Sequence, residues 1–391
     1  METSVLETKE ASQAAQNGDA RYTVKERARS FYEILARRPL IDVPKQNCSS
    51  CGSKEDNFWN KQSDITNEIT LYSWRPEWVK NTADNIKYFG HFNREHSVKI
   101  FAEELRDKPC IIVGAGPSLQ KNIVDLRLAK EAGVKIIATS HAYMYLSHPE
   151  VQVKPDYVVV LDAGGQWTEY LDTQMDSSDI PLLAEQTCNS AHLRLWKGPV
   201  LFYKSLYSAS GIGKLMQQDM DSIVPYEKCG AKIHVGGHVT AASTVLAMTL
   251  MRSNYVVFVG TDYCFTPENE GGQFYPFQGT PMEYLIDKPS TPEKHGMCWN
   301  ILGQEVYSNQ SYLHFKNIMD DICMKVCIEA NKSYVTGSPA PVTFVNATEG
   351  GMLGAFDKGN SKYMRYTMLE DEIKALKVKI DMDEQKKKEE K

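Results

Sequence analysis

Two periodicities take turns along the middle of the chain. Apolar runs at 110–113, 134–138 (broken only by Lys135), 157–161 and 255–259 are separated by stretches in which apolar residues recur every three or four positions, at 118–131, 141–146 and 239–251. Runs of four or five without a polar break suit strands buried on both faces, and the longer period is that of helices covering them. Shorter runs at 181–184 and 199–203 add strands, a further apolar run lies at 342–345, and Gly133 stops the first helix. Repeated in this order, the pattern predicts a doubly wound α/β sheet, mostly parallel.

The flanks read differently. Residues 1–20 hold too few large apolar groups to form a core and are expected to be disordered. Val24, Phe31, Ile34 and Leu35 fall at helical spacing until Pro39 and Pro44 end the pattern. A Trp74–Trp78 cluster and helical spacing through Ile86, Phe89, Val98, Phe101 and Leu105 extend this, so 21–108 is predicted as a mainly helical region and 109–355 as the sheet domain. Within that domain, 263–310 is rich in Gly, Pro, Asn and aromatics without a sustained period, as expected of a lid or binding loop. The last segment, 356–391, spaces Tyr366, Leu369, Ile373, Leu376 and Ile380 alternately by three and four ahead of a charged tail. That is an amphipathic helix, serving either as a two-heptad seam for a homo-oligomer or as a helix docked on its own domain.

Composition narrows the classes. The formal net charge of −6 over 391 residues provides no basic field, which argues against nucleic acid as the main partner. No apolar run approaches the roughly 18 residues that span a bilayer, and the amino terminus is polar and acidic, so a cytoplasmic protein without a membrane span is expected. Nine cysteines fit reduced thiols. Cys48-Ser-Ser-Cys51 has the spacing of half a zinc knuckle, and Cys323 with Cys327 completes four thiolates only if the fold joins the two pairs; free thiols are the favoured reading.

In an open α/β sheet the ligand sits at the carboxyl ends of the strands, so the residues after each run are the ones to collect. After the first come Gly114-Ala115-Gly116-Pro117-Ser118-Leu119, a tight turn into a helix start whose free amides favour an anion such as phosphate. After the second stand Thr139 and Ser140, and after the third Asp162, Gly164 and Gly165. Gly236-Gly237-His238 precedes the 239–251 helix, Gly260-Thr261-Asp262 follows the next strand, and Asn346-Ala347-Thr348-Glu349-Gly350-Gly351 follows 342–345. The glycine turn is neither the dinucleotide fingerprint nor a P-loop, because Leu119 holds the place of the third small residue. Lys121 and Arg127 are assigned to solvent.

Five motifs in order, Gly114–Leu119, Lys154-Pro155-Asp156-Tyr157 leading to Asp162, Gly236-Gly237 before a helix, Gly260-Thr261-Asp262 and Asn346–Gly351, together resemble the MptE-like family over about 75–355. That family joins archaeal 6-hydroxymethyl-7,8-dihydropterin diphosphokinases to the motility accessory factor proteins that glycosylate flagellin. The resemblance implies a Rossmann-like core similar to bacterial sialyltransferases, with a nucleotide on the glycine turn and no tightly bound cofactor. Two chemistries follow: transfer from a CMP-activated nonulosonic acid to a protein or carbohydrate acceptor, or passage of a diphosphate from ATP with magnesium to a pterin alcohol. The segment 263–310, with Gly303-Gln-Glu-Val-Tyr307 before a helix, leans towards the first; the lack of large extra domains departs from that branch. A third reading is a catalytically silent binding or structural protein. The expected nucleotide contacts are Gly114, Ala115, Gly116, Pro117, Ser118, Leu119, Thr139, Ser140, Asp162, Gly236, Gly237, Asp262, Thr348 and Gly350. Proton transfer falls to His238, His295 or Glu349, with His141 and His234 behind them. In the kinase reading Asp162 and Asp262 hold the magnesium.

Overall fold

The computed structural model describes residues 24–43, 54–90, 94–164, 175–206, 211–223, 231–233, 237–266, 273, 276, 296–335 and 342–389. Residues 1–20, Cys48, Cys51, Gly165, His234, Gly236, His295 and most of 263–310 lie outside the described residues. The chain enters through α1 (Val24–Leu35), β1 (Leu40–Ile41) and the long α2 (Lys54–Phe89), which runs straight through Pro76 and the tryptophan cluster. It then alternates strand and helix: β2 (Pro109–Val113), α3 (Ile123–Glu131), β3 (Lys135–Thr139), α4 (Ser140–Leu146), β4 (Tyr157–Val160) and β5 (Leu182–Glu185). After these come α5 (Ser190–Leu195), β6 (Val200–Ser205), α6 (Gly211–Ile223), β7 (Ala231–Ile233), α7 (Val239–Val245) and β8 (Tyr255–Val259). The remainder is a hairpin, β9 (Gly296–Trp299) and β10 (Glu305–Ser308), then α8 (Gln310–Val335), β11 (Thr343–Asn346), β12 (Ala355–Phe356), β13 (Gly359–Ser361), β14 (Arg365–Tyr366) and α9 (Leu369–Glu389).

Nine of the strands form one parallel sheet in the order β14-β11-β8-β2-β3-β4-β5-β6-β7. The order runs outward from β2 to β7 and resumes on the other side of β2 with β8, so the winding reverses between β2 and β8. Both faces are covered, as the unbroken apolar runs require. Ile111, Val113, Ile136, Ala138, Val158 and Val160 pack with residues of α3, α4, α5 and α9, and Cys110, Ile112, Ile137, Tyr157 and Val159 pack with α1, α7 and α8. Leu369, Ile373 and Leu376 are at most 5% exposed inside the first of these cores. The seam of α9 is therefore spent on its own domain.

Sequence reading missed α6, β7 and the β9–β10 hairpin, while the helix expected after Tyr307 is α8. The hairpin turn is held by Asn300, whose Oδ1 accepts from the amides of Leu302 (3.0 Å) and Gln304 (2.9 Å), with Gly303 at φ +75°. Its signal, Asn-x-x-Gly, sits in a segment with no period to draw attention to it. Cys323 is buried on α8, and Cys327, one turn on, donates to the Tyr363 carbonyl at 3.5 Å.

One face of α2 positions the loops after β4 and β5. Asn81 donates from Nδ2 to the carbonyls of Ala163 (3.1 Å) and Thr187 (3.0 Å), and Asn85 to those of Gln186 (2.9 Å) and Cys188 (2.8 Å). Both side chains are buried, so no water replaces these donors. Asn81→Ala is expected to cost about 2–3 kcal/mol, by leaving two buried carbonyls without a donor. A urea midpoint lowered at unchanged m-value is the check.

Candidate functional site

The glycine turn after β2 and the Gly260–Asp262 loop after β8 meet where the winding reverses, and they close on each other. Gly114 N donates to Val259 O (2.8 Å) and Gly116 N to Gly260 O (2.7 Å). A Cβ on Gly114 would lie 2.5 Å from the Gly260 carbonyl oxygen. Pro117–Asn122 is a 3-10 turn, and the anion at its start is the chain's own: Asp262 Oδ2 accepts from Ser118 N at 3.1 Å and Ser118 Oγ at 2.8 Å. Leu119 N bonds to Gly116 O at 3.1 Å. Of the turn's expected phosphate donors, those of Gly114, Gly116, Ser118 and Leu119 are thus used within the protein, and Pro117 has none. Gly114 and Gly116 make room for the Gly260 carbonyl and the Asp262 carboxylate. Burial pushes the Asp262 carboxyl up to about 6, against the lowering effect of Ser118 and of the Lys121 charge.

Asp162 is different. It follows β4 on the carboxyl edge, is half-buried, and among the described residues its carboxylate has no hydrogen-bond partner; its main-chain oxygen accepts from Asn189 N at 3.4 Å. Burial lifts this carboxyl to about 6. Asp162 and Asp262 stand three strand spacings apart across β2 and β3, about 14 Å at ~4.8 Å each. Magnesium holds its oxygen ligands at about 2.1 Å, so the two do not converge on one ion as the kinase reading asked. Among the described residues no group of three His, Cys, Asp or Glu side chains gathers at metal-binding distance.

The remaining expected groups divide. His238 caps α7, its Nδ1 accepting from Ala241 N at 3.4 Å, and its ring lies against Phe315 and Tyr263. Burial, with the nearby His314 charge, pushes it down to about 3, far below a working proton acceptor. Burial also takes His141 down to about 4. Glu349, at φ +57°, accepts from Asn122 Nδ2 (2.9 Å) and from Leu369 N (3.5 Å), which places its charge at the amino end of α9. Thr348 Oγ1 donates to Asn346 Oδ1 (2.7 Å) and accepts from Gly351 N (3.2 Å), holding the turn after β11. Gly350 has open space around it, as has Gly237 at φ +76°.

Thr139 ends β3 and Ser140 follows it, both buried, and the Ser140 hydroxyl has no partner. Sequence reasoning passed over Gln186, after β5, whose side-chain amide is fully buried with neither its nitrogen nor its oxygen bonded. A cavity of about 640 Å³ lies elsewhere, between α1, the start of β11 and residues 360–366, and one of about 270 Å³ opens at the amino ends of β3–β5. Neither contains a residue of the carboxyl edge.

No curated protein matches the chain. A solved structure similar to it is the MAf glycosyltransferase from Magnetospirillum magneticum AMB-1, at 15% identity and a TM-score of 0.45, covering 78% of this chain and 41% of that one. The chain thus spans about two fifths of that protein's length. A family model described as 6-hydroxymethylpterin diphosphokinase MptE-like matches residues 80–268, which run from the end of α2 through β2–β8 and so take in Gly114, Ser140, Asp162, Gln186 and Asp262. That match spans just under half of the chain and takes in the carboxyl edge from β2 to β8.

Proposed function

We propose that the chain is a nucleotide-dependent transferase working at the carboxyl edge of its sheet, and that it moves a sugar from a CMP-activated nonulosonic acid to a hydroxyl acceptor. The observation that carries the proposal is Asp162: an unpaired carboxylate at a strand end, held near pH 6, inside the MptE-like segment. A general base works best when its pKa lies near the working pH. Asp162 takes the proton from the acceptor hydroxyl as that oxygen bonds to the anomeric carbon. The bond from that carbon to the CMP phosphate oxygen breaks, and CMP leaves with the electron pair. The phosphate lies beside the closed turn, near Ala115, rather than on the amides already bonded to Gly260 and Asp262.

Diphosphate transfer is the less favoured reading, because Asp162 and Asp262 stand too far apart to share a magnesium. Thermal unfolding with CMP, CMP-N-acetylneuraminic acid, or ATP with magnesium tests the choice. A ligand at 100 times its Kd adds about 2.7 kcal/mol to apparent stability. CMP and the CMP-sugar are expected to raise Tm. Stabilisation by ATP with magnesium alone would overturn the proposal in favour of the kinase, and no shift at millimolar concentration would favour the silent reading.

A further inference from the structure

Continuing the two-residue alternation past the strand ends puts one line of side chains on the α3–α4–α5 face of the sheet. Val113, Ala138, Val160 and Ala184 belong to that face, so Ala115, Ser140, Asp162 and Gln186 follow on it, one from each of β2, β3, β4 and β5. Thr139, just before Ser140, keeps an extended backbone (φ −72°, ψ 160°), which preserves the alternation there. Adjacent members of the line stand about 4.8 Å apart.

The polar members of this line lack partners. Ser140 is 4% exposed and Gln186 0%, and Ser140 Oγ and both polar atoms of the Gln186 amide have no hydrogen bond. Native interiors seldom leave such groups unpaired, and three such atoms on neighbouring strand ends call for something that pairs with them. The required chemistry is specific. A hydroxyl (Ser140), a carboxylate (Asp162) and an amide with one donor and one acceptor side (Gln186) lie in sequence over two strand spacings, about 10 Å. A flat base satisfies the amide alone. Neighbouring hydroxyls, each able to donate and accept, satisfy all three.

From this juxtaposition we infer that Ser140, Asp162 and Gln186 form a subsite for a vicinal diol, with Gln186 as its specificity-determining residue. This rests on the reading of the carboxyl edge as the ligand site. The diol comes either from the ribose of the nucleotide or from the transferred sugar.

The test pairs stability with binding. Gln186→Met keeps the length and removes both unpaired atoms. It is expected to raise Tm by about 1–3 °C while weakening the diol-bearing ligand about tenfold or more. Ser140→Ala, a smaller change, should shift both in the same directions. The probes are CMP, 2′,3′-dideoxycytidine 5′-monophosphate and free N-acetylneuraminic acid, titrated against wild type and both variants. If dideoxy-CMP binds wild type more weakly than CMP but equals it in Gln186→Met, the ribose is the diol; if the free sugar acid loses affinity in Gln186→Met, the sugar is. Affinities for every bound probe that ignore both substitutions would overturn the subsite. A Tm that falls in both variants would overturn it too, by showing the groups to be structural. A Tm that rises in both, with no probe bound by wild type, would support the subsite and place the fault in the CMP-sugar assignment.

Discussion

Asp162→Asn is expected to lower kcat by about 10²–10⁴ while changing CMP affinity far less, because it removes the only step in which the acceptor proton has somewhere to go. The amide keeps the size and one acceptor oxygen, so ground-state contacts survive. The pH profile gives a second reading of the same group. With its carboxyl lifted to about 6, Asp162 is ionised and able to take a proton above that pH and is protonated below it, so wild-type kcat should rise through about pH 6 and level off. His238, pushed down to about 3, would instead keep the rate flat across this range. Equal loss of binding and turnover in Asp162→Asn, or a profile without an inflection near 6, would remove the carboxylate from the proton transfer.

Why the site was only partly legible in the sequence follows from where each residue's partner lies. The strand ends could be read because burial on both faces leaves an unbroken apolar run, and the residue that closes it, Asp162 after β4 or Asp262 after β8, is marked by position alone. What each does there was not written locally. Asp262 invited a ribose or a magnesium until its partner emerged as Ser118, 144 positions earlier. Glu349 offered a free acid until Asn122, 227 positions away, and the start of α9 claimed it. Gln186 had no motif at all; its interest lies in two hydrogen bonds it does not make, a property that exists only once the chain is folded. The winding could be read for the same reason as the strand ends. Helix α6 was not read there, whereas α8 was expected after Tyr307, and Asn309 caps it with Oδ1 accepting from Tyr312 N at 2.8 Å.

Gly116→Val should abolish folding at 37 °C, at a cost of about 4 kcal/mol or more. The glycine backbone there is ordinary, at φ −75° and ψ 161°, so conformational freedom is not what the position demands. Space is. A Cβ on Gly116 falls inside the van der Waals shell of Asp262 Oδ2 and 2.8 Å from the Gly260 carbonyl oxygen, a backbone atom fixed by the sheet. The same contact also separates a structural turn from a phosphate site. If phosphate occupied the turn, Gly116→Val would fold and lose nucleotide binding; if Asp262 occupies it, the chain itself fails, and soluble, two-state material with wild-type Tm would refute the packing. Asp262→Asn is the companion variant, for it keeps an acceptor for Ser118 and removes the charge. An acid whose carboxyl rises from 3.8 to about 6 on folding binds its proton more tightly in the native state, so stability falls as pH climbs from about 4 to 6 and the cost is complete above that. Two units correspond to about 3 kcal/mol at most, and Asp262→Asn should recover about 1–3 kcal/mol of it at pH 8, flattening that share of the stability–pH curve. Denaturant midpoints for both proteins at pH 4.5 and 8 decide it: a variant that is less stable than wild type at pH 8 would mean that the ionised Asp262, seated on the Ser118 amide, is worth more to the fold than its burial costs.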